Sequence, residues 1–413
     1  MQSGKHWLNQ KRFTVYPRLA VATQSFIASI WFLLVKQKVD LKGQPLGNDF
    51  IAYWSASYLA LAGRAADAYN TPLLTKAENI AVPASHLTFF WLYPPTFYMV
   101  VLPLAAMPYL LSCFVFMFAT LACYVFVFRR VVKGKAAMWC LAGFPGLCLN
   151  LFDGQNAFLT GALAGAGLIC MESRPILAGV FMGLLVIKPH LLLLFPVALV
   201  AIRAWRTLFS AAVTAIAFIG LSAGVLGMAT WKAFFANVVV VRAYLEQGLL
   251  PWQKMPTVFA FLRILHAPVA AAYVVQGIGA AAAVSAVWYV WRRSRDWQLR
   301  SAALMTATFL VTPYVMDYDM AWLAFPIAWL ALIGLRDGWL PGEREVLVAC
   351  WILPLFVAPL AAGYFVQVGP FPIAAMLWLT VRRARAAQQS PVVGEVRSTE
   401  FEEGRVASGG VSP

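Results

Sequence analysis

Apolar runs of roughly 15 to 25 residues recur along the whole chain, with short polar or proline-rich breaks between them. Continuous runs of this length are typical of helices that cross a membrane. The pattern predicts an all-α, polytopic helical membrane protein with about twelve transmembrane helices. The predicted spans are residues 16–35, 109–128, 136–150, 156–171, 175–187, 190–203, 207–228, 268–291, 300–315, 319–335, 345–361 and 364–381.

The positions of the charged residues orient these spans. The chain has 32 lysines and arginines against 17 aspartates and glutamates, which gives a net charge of +15. About two thirds of the basic residues lie in segments that the twelve-span arrangement places in the cytoplasm, as the positive-inside rule requires. The excess charge is therefore attributed to membrane topology, and nucleic-acid binding is not expected. Both termini are predicted to be cytoplasmic.

Residues 1–385 are predicted to form a single membrane-embedded domain, and the polar tail 386–413 is expected to be disordered. The first outer loop comprises residues 36–108. Its segment 93–108 is apolar enough to be a further crossing, but a crossing there would move every later basic cluster to the outer face. Four prolines also interrupt the segment, so a re-entrant or interfacial element is predicted.

The same loop contains a helical pattern directly after its first carboxylate. From Phe50 to Tyr69, apolar residues recur at helical spacing until Gly63 and Arg64 interrupt them. This pattern predicts an amphipathic helix that lies on the outer membrane surface. Such a helix would fix the orientation of Asp49 at its N-terminus.

Four polar breaks lie on the predicted outer side: Asn48-Asp49, Asp153 to Asn156, Lys188 to His190, and Asp317 to Asp319. The helical arms beside the middle two breaks have about 13 to 16 residues and span only ~20 to 24 Å, less than the ~30 Å hydrocarbon core. The breaks must then lie below the outer surface. Charge and irregular backbone are tolerated at that depth only beside a water-filled or protein-lined cavity. The sequence therefore predicts a polar cavity open to the outer leaflet.

Asp49 is the strongest candidate for a reacting group. It follows the first span closely, in Gly47-Asn48-Asp49-Phe50, and aromatic residues follow it where an ordinary loop would have more charge. A carboxylate at such a position suits a general base. The structural alternative is that Asp49 only caps the helix that begins at Phe50.

The residues of the two middle breaks also have structural alternatives. Asp153 and Asn156 suit a turn between two helices. Lys188 could extend its ammonium group toward the interface, and His190 could be a hydrogen-bonded histidine of the core. These readings stay open beside a role in ligand binding.

Asp317 and Asp319 could cap the helix that follows them. Arg242 and Glu246 lie four residues apart in the outer segment 231–256 and could form only a surface pair. Two aspartates separated by one residue do not define a metal site, so neither a metal nor a cofactor is predicted.

Several short motifs follow one another along the chain: Gly47-Asn48-Asp49-Phe50 with Tyr53, Tyr93-Pro94-Pro95, Asp153-Gly154-Gln155-Asn156, Gly183 to Lys188-Pro189, Thr312-Pro313 and Tyr318-Asp319. Their order resembles glycosyltransferase family 87 from about residue 14 to residue 383. Each motif is short and degenerate, so the order carries the specificity. The chain departs from the family in Asp67-Ala68-Tyr69, which lacks a proline, and at Asp319, where relatives often carry histidine.

The resemblance implies a GT-C fold with its active site in an outer-leaflet cavity of a bacterial inner membrane. It implies a polyprenyl-phosphate sugar donor, with mannose favoured, and a glycolipid or glycan acceptor. By motif position it makes Asp49 the general base. Lys188 suits the departing phosphate, which Arg242 or His190 could also contact. A single base predicts one-step inversion. The other expected substrate contacts are Asn48, Tyr53, Tyr93, Gln155, Asn156, Asp317 and Asp319.

Two other classes of function stay open at this stage. Charges near the midplane and broken helices are also features of secondary transporters and lipid permeases. The polar breaks all face one side, however, and no inverted repeat relates the two halves of the chain. An inactive scaffold for envelope assembly is the third possibility.

Overall fold

The computed structural model describes residues 7 and 9–389 of the 413-residue chain. The regular elements among the described residues are all helices, and no β-strand is present there. The α-helices are Gln10–Leu34, Phe50–Leu61, Thr71–Ala81, Pro95–Val101, Tyr109–Val131, Lys135–Ala142, Pro145–Phe152, Ala157–Cys170, Pro175–Leu184, Leu194–Ala201, Trp205–Leu226, Met228–Gln247, Val258–Ile264, Val269–Arg293, Trp297–Val311, Ala324–Asp337, Glu343–Ile352, Val357–Tyr364 and Pro370–Gln389. Short 3-10 helices join them at Ala65–Tyr69, Leu104–Ala106, Leu185–Ile187, Pro189–Leu191, Trp252–Lys254, Asp317–Leu323 and Leu353–Leu355.

Among the described residues, five helical segments are long and apolar enough to cross a membrane, and two bent pairs raise the number to seven. The five are Lys11–Leu34, Tyr109–Val131, Trp205–Leu226, Val269–Arg293 and Asp317–Asp337. The bent pairs are Lys135–Ala142 with Pro145–Phe152 and Glu343–Leu355 with Val357–Tyr364. Helix is present at each of the twelve predicted spans. Twelve crossings stay a prediction, because most of the remaining segments are shorter and Pro370–Gln389 carries three arginines.

The short segments are those on either side of the predicted polar breaks. Ala157–Cys170 has 14 residues and spans ~21 Å, less than the hydrocarbon core. At Lys188 the chain leaves helical geometry between two 3-10 turns, since Pro189 cannot continue the hydrogen-bond ladder of the preceding helix. The charged side chain of Lys188 is buried by protein, which is the condition under which such a residue is stable inside a membrane.

The helix predicted to follow Asp49 is present, but its surroundings differ from the expectation. Nine of the twelve residues of Phe50–Leu61 are buried, on all sides of the helix. Helix Thr71–Ala81 and the segment 95–106 pack against it, and the Ser57 hydroxyl donates a hydrogen bond of 2.7 Å to the carbonyl oxygen of Leu102. The helix is therefore an internal element and not an amphipathic surface helix. The other elements of the same loop cover the face that was expected to be exposed to solvent.

The structure also bears on the predictions for the segment 93–108 and for the tail 386–413. The segment 93–108 folds as helix Pro95–Val101 and the turn Leu104–Ala106. Seven helical residues span only ~10 Å, so a re-entrant or interfacial element stays the prediction. The predicted tail 386–413 begins within helix Pro370–Gln389, and its part from residue 390 lies outside the described residues.

Helix Trp297–Val311 occupies the centre of the fold. It packs against Val269–Arg293, Pro370–Gln389 and Ala324–Asp337, and eleven of its 15 residues are buried. Small side chains such as Ala302 allow the neighbouring backbones to approach closely.

A buried ion pair links two of the last helices. The Arg383 guanidinium donates to both carboxylate oxygens of Glu343, at 2.6 and 2.5 Å, and also to the carbonyl oxygen of Gly338 at 2.8 Å. We expect Arg383→Met to lower the free energy of unfolding by about 3–5 kcal/mol, because Glu343 would stay buried without its cation. Thermal unfolding in detergent measures the loss. Arg382→Met is the control, since Arg382 donates only to the carbonyl oxygen of Pro341. Equal unfolding temperatures for the two variants would contradict the prediction.

Candidate active site

Two of the predicted breaks, at residues 47–49 and 153–156, are in direct backbone contact. The Asp49 N–H donates to the carbonyl oxygen of Asp153 at 3.2 Å. Gly47 and Gly154 both have positive φ, and a Cβ on Gly154 would overlap the carbonyl oxygen of Gly47. Only glycine fits this crossing of backbones. The close approach brings the side chains of both breaks to one place.

Asp49 is held by side chains and does not cap the helix behind it. Its Oδ2 accepts a hydrogen bond of 2.7 Å from Gln155 Nε2, and its side chain makes no capping bond to the following helix. Gln155 Oε1 accepts from the hydroxyls of Tyr53 and Tyr93, the latter at 2.7 Å. Asp49 itself is half-buried. The amide thus presents its donor end to a carboxylate that ligands can still reach.

The surroundings of Asp49 make its carboxyl group a weaker acid than usual. Burial raises the pKa of Asp49 to about 6, and the Asp153 carboxylate adds to the rise. Lys254, Gln155 and Lys188 act in the opposite direction. A carboxylate with a pKa near neutrality is well matched to accepting a proton from a hydroxyl.

Lys188 bonds residues of two other breaks. Its Nζ donates to Asp319 Oδ1 at 2.6 Å and to Asn156 Oδ1 at 3.3 Å, and both members of the ion pair are buried. Asp319 Oδ2 also accepts from the N–H of Met316, so this aspartate caps the start of the 3-10 helix Asp317–Leu323, of which it is the third residue. The Lys188 ammonium additionally lies 5.0 Å from the centre of the Tyr318 ring.

A second cation, Lys254, joins the site from the short helix Trp252–Lys254. Its Nζ donates to Asp153 Oδ2 at 2.8 Å and lies 4.0 Å from Asp317 Oδ1. The other Asp153 oxygen accepts from Asn48 Nδ2 at 2.8 Å. Burial lowers the pKa of the Lys254 ammonium, but the neighbouring carboxylates outweigh this effect and the net change is a raised pKa.

Little in the sequence points to Lys254. It is a single lysine between Trp252 and Pro256, outside any motif or repeat. The signal that could have identified it is the charge balance of the breaks, which hold four aspartates and one lysine. Buried carboxylates require compensating cations, so a second basic residue from another outer segment was to be expected.

We call these side chains the polar cluster; its members are Asn48, Asp49, Tyr53, Tyr93, Asp153, Gln155, Asn156, Lys188, Lys254, Asp317 and Asp319. A cavity of about 140 Å³ adjoins it, with Tyr93, Lys188, His190, Asn237 and Tyr314 among its lining residues. Most of the remaining wall is apolar and includes Phe234, Val238 and Val241 of helix Met228–Gln247. His190 Nε2 is buried and has no hydrogen-bond partner among the described residues. A polar floor with apolar walls suits a ligand that has both a polar head and a hydrocarbon portion.

Comparison with known protein families identifies the family to which the chain belongs. The family model described as Glycosyltransferase family 87 matches residues 91–313, more than half of the chain. The chain belongs to glycosyltransferase family 87. No curated protein and no solved structure matches it significantly. The predicted family is therefore confirmed, and with it a membrane enzyme that takes a sugar donor and an acceptor.

The matched region covers part of the polar cluster of this family 87 enzyme. It includes Tyr93, the break 153–156, Lys188 and Lys254, whereas Asp49 and the break 317–319 lie outside it. Membership of a glycosyltransferase family favours an enzyme over the transporter, permease and scaffold alternatives.

Most of the predicted site residues meet in the polar cluster or line its cavity, but Arg242 does not. Its guanidinium is exposed, donates to Glu246 at 2.8 Å and lies 5.9 Å from the Tyr273 ring centre. This is the surface pair that the spacing of four residues allowed. Among residues 7 and 9–389, no group of three or more histidine, cysteine or acidic side chains is arranged to hold a metal ion.

Proposed function

We propose that this family 87 glycosyltransferase moves a hexose, with mannose favoured, from a polyprenyl phosphate to a glycolipid or glycan on the periplasmic side of a bacterial inner membrane. One observation carries the proposal: Asp49, a carboxylate poised near neutrality, is joined through Gln155 and Tyr93 to an apolar-walled cavity that Lys188 also lines. The cavity accounts for a lipid-linked donor, and the carboxylate accounts for a hydroxyl acceptor.

Asp49 acts as the general base in this proposal. The acceptor oxygen forms a bond to the anomeric carbon while the bond from that carbon to the phosphate oxygen breaks, and the hydroxyl proton passes to Asp49. Because one base suffices for this single displacement, the configuration at the anomeric carbon is inverted. Gln155 holds the carboxylate in place, and the two tyrosines hold the amide of Gln155.

Lys188 contacts the departing phosphate. An ammonium group has three N–H donors, of which Asn156 and Asp319 accept two, so one stays for a ligand in the cavity that Lys188 lines. Asp319 already balances the charge of Lys188. The bond to phosphate therefore depends on a directed N–H donor in a site with little water. His190 Nε2 supplies a second polar contact from the same cavity.

Transfer from a defined donor tests the proposal. Membranes that contain the protein are incubated with polyprenyl phosphate carrying radiolabelled mannose, and label is followed into glycolipid and glycan fractions. We expect transfer by the native chain and none by membranes without it. Equal transfer from a nucleotide sugar, in membranes unable to make the polyprenyl-linked donor, would contradict the donor assignment. Mass spectrometry of glycolipids from a deletion strain then identifies the missing product.

The pH dependence of transfer follows from the raised pKa of Asp49. The protonated carboxyl predominates below its pKa of about 6 and cannot accept a proton, so the rate should fall roughly tenfold for each pH unit below that value. Above about pH 6 the rate should level off. Initial rates between about pH 5 and 8, with donor stability measured at each pH, check the prediction. A rate independent of pH down to about 5 would remove Asp49 as the base.

A further inference from the structure

The turn that carries Lys254 is held by a glutamine more than a hundred residues away in sequence. Gln367 is fully buried, and its Nε2 donates to the carbonyl oxygens of Trp252 and Gln253 at 3.3 and 3.0 Å. Its Oε1 accepts from the N–H of Gly369 at 3.1 Å. Both ends of the amide are therefore used, and its orientation toward the turn is fixed.

Gly369 holds the same turn by close packing. A Cβ on this glycine would overlap both the Cα and the Cβ of Pro256, which ends the turn two residues after Lys254. Helix Val357–Tyr364, which precedes Gln367 in the chain, also packs against Trp252–Lys254. Two independent features of one segment thus fix the position of the lysine.

An unbroken series of contacts leads from this segment to Asp49. Gln367 holds the backbone before Lys254, and Lys254 donates to Asp153 Oδ2. Asp153 in turn accepts from the Asn48 side chain through Oδ1 and from the Asp49 N–H through its carbonyl oxygen. Each step is a hydrogen bond or a covalent connection.

We propose that Gln367 and Gly369 form a latch that positions Lys254 on Asp153 and thereby sets the place and charge of the Asp49 carboxylate. The latch residues are positioning residues and touch no substrate. Both lie outside the region 91–313 that the family model matches. The inference rests on the proposed role of Asp49 as the base.

Releasing the latch has a consequence that a general loss of stability does not have. Asp153, Lys254, Lys188 and Gln155 face Asp49, and of these Lys254 provides the largest stabilisation of the ionised form. If the turn moves, Asp49 keeps the repulsion of Asp153 and loses part of the compensating attraction. The carboxyl group then ionises at a higher pH. The acid limb of the pH–rate profile, which is the range in which the transfer rate falls as the pH is lowered, therefore moves to higher pH.

The first experiment compares Gln367→Met with Gln276→Met in the full-length protein. Gln276 is also a buried glutamine with both ends bonded, since it accepts from the Phe259 N–H and donates to the carbonyl oxygen of Leu310. With polyprenyl phosphate mannose as the probe, we expect Gln367→Met to lower kcat by roughly tenfold to a hundredfold and to raise the acid limb by about one pH unit. Gln276→Met should leave the acid limb in place. Equal shifts in both variants, or none in Gln367→Met, would overturn the latch.

Lys254→Met tests whether the latch acts through the lysine. Adding Gln367→Met to Lys254→Met should change the rate by less than about twofold, because coupled residues are not additive. Gly369→Ala reaches the same turn by another route and should reproduce the pH shift, which also covers the case in which Gln367→Met does not fold. Fully additive losses would show that Gln367 acts elsewhere.

Hydrogen exchange separates failure of the latch from failure of the proposed function. In Gln367→Met, deuterium uptake should rise in peptides that contain Trp252–Lys254 and also in those that contain Asp49. A rise at the turn alone would break the series of contacts and overturn the latch, whatever the activity. Full activity of Asp49→Asn would instead overturn the role of the base, while the exchange result still decides whether the latch holds Asp49.

Discussion

Asp49→Asn should lower the rate of sugar transfer by about a hundredfold to ten thousandfold, the range usual for loss of a general base. Asparagine has the shape of aspartate and can still accept the hydrogen bond from Gln155 Nε2. The fold and the cavity should therefore persist, and the loss should lie in kcat. The measurement is transfer of labelled mannose from polyprenyl phosphate by membranes with equal amounts of inserted protein.

Asp67→Asn is the matched control for this substitution. Asp67 belongs to the same first loop, but its carboxylate pairs only with Arg64 in a partly exposed position. Exposed pairs of this kind contribute about 0–1 kcal/mol, so the variant should keep its activity. Asp49→Glu should recover little of the loss, because the longer side chain displaces the carboxylate from Gln155. Near-native transfer by a normally inserted Asp49→Asn variant would rule out the base assignment.

The positions of the breaks could be predicted because they depend on local chemistry. Polar residues and proline interrupt apolar runs at residues 153–156, 188–190 and 317–319, and a helix cannot continue through Pro189 without losing a hydrogen bond. Arms too short to cross a membrane then imply a shared cavity. The structure places these breaks together with Asp49, as that reasoning requires.

The pairing within the site could not be predicted in the same way. The sequence predicted a phosphate contact for Lys188 but not its ion pair with Asp319. It also did not predict that Lys254 bonds the Asp153 carboxylate beside Asp49. Which carboxylate each lysine bonds depends on how segments more than a hundred residues apart in sequence approach each other in the fold. Hydrophobic periodicity carries no information on that approach.

The misplacement of helix Phe50–Leu61 has a similar cause. Its apolar residues at helical spacing suited a membrane surface, yet the pattern continues around most of the helix, which indicates burial on all sides. What covers the second face are the loop's own short elements at Thr71–Ala81 and 95–106. Aromatic side chains of the helix, above all Tyr53, can then serve the polar cluster from within the fold.

The second large effect is expected at Lys188, but a single substitution there does not isolate it. Lys188→Met would leave Asp319 buried without its cation, which costs about 3–5 kcal/mol of stability and would lower activity for that reason alone. The informative variant is Lys188→Met combined with Asp319→Asn. It removes both charges, so the unfolding temperature of this double variant should be close to that of the native protein.

If Lys188 contacts the departing phosphate, the double variant should stay at least about a hundredfold less active even though it is stable, because the ammonium donor that faces the developing charge is then missing. A matched control is the other buried pair: Arg383→Met combined with Glu343→Gln removes two charges away from the cavity and should keep its activity. Thermal unfolding and transfer rates are measured on the native protein, the single variant Lys188→Met and the two double variants. A double variant at Lys188 and Asp319 that is both stable and active would show that the pair only holds the helices together. A stable and inactive one shows that the pair serves the reaction and not only the fold, since loss of structure can no longer explain the loss of transfer.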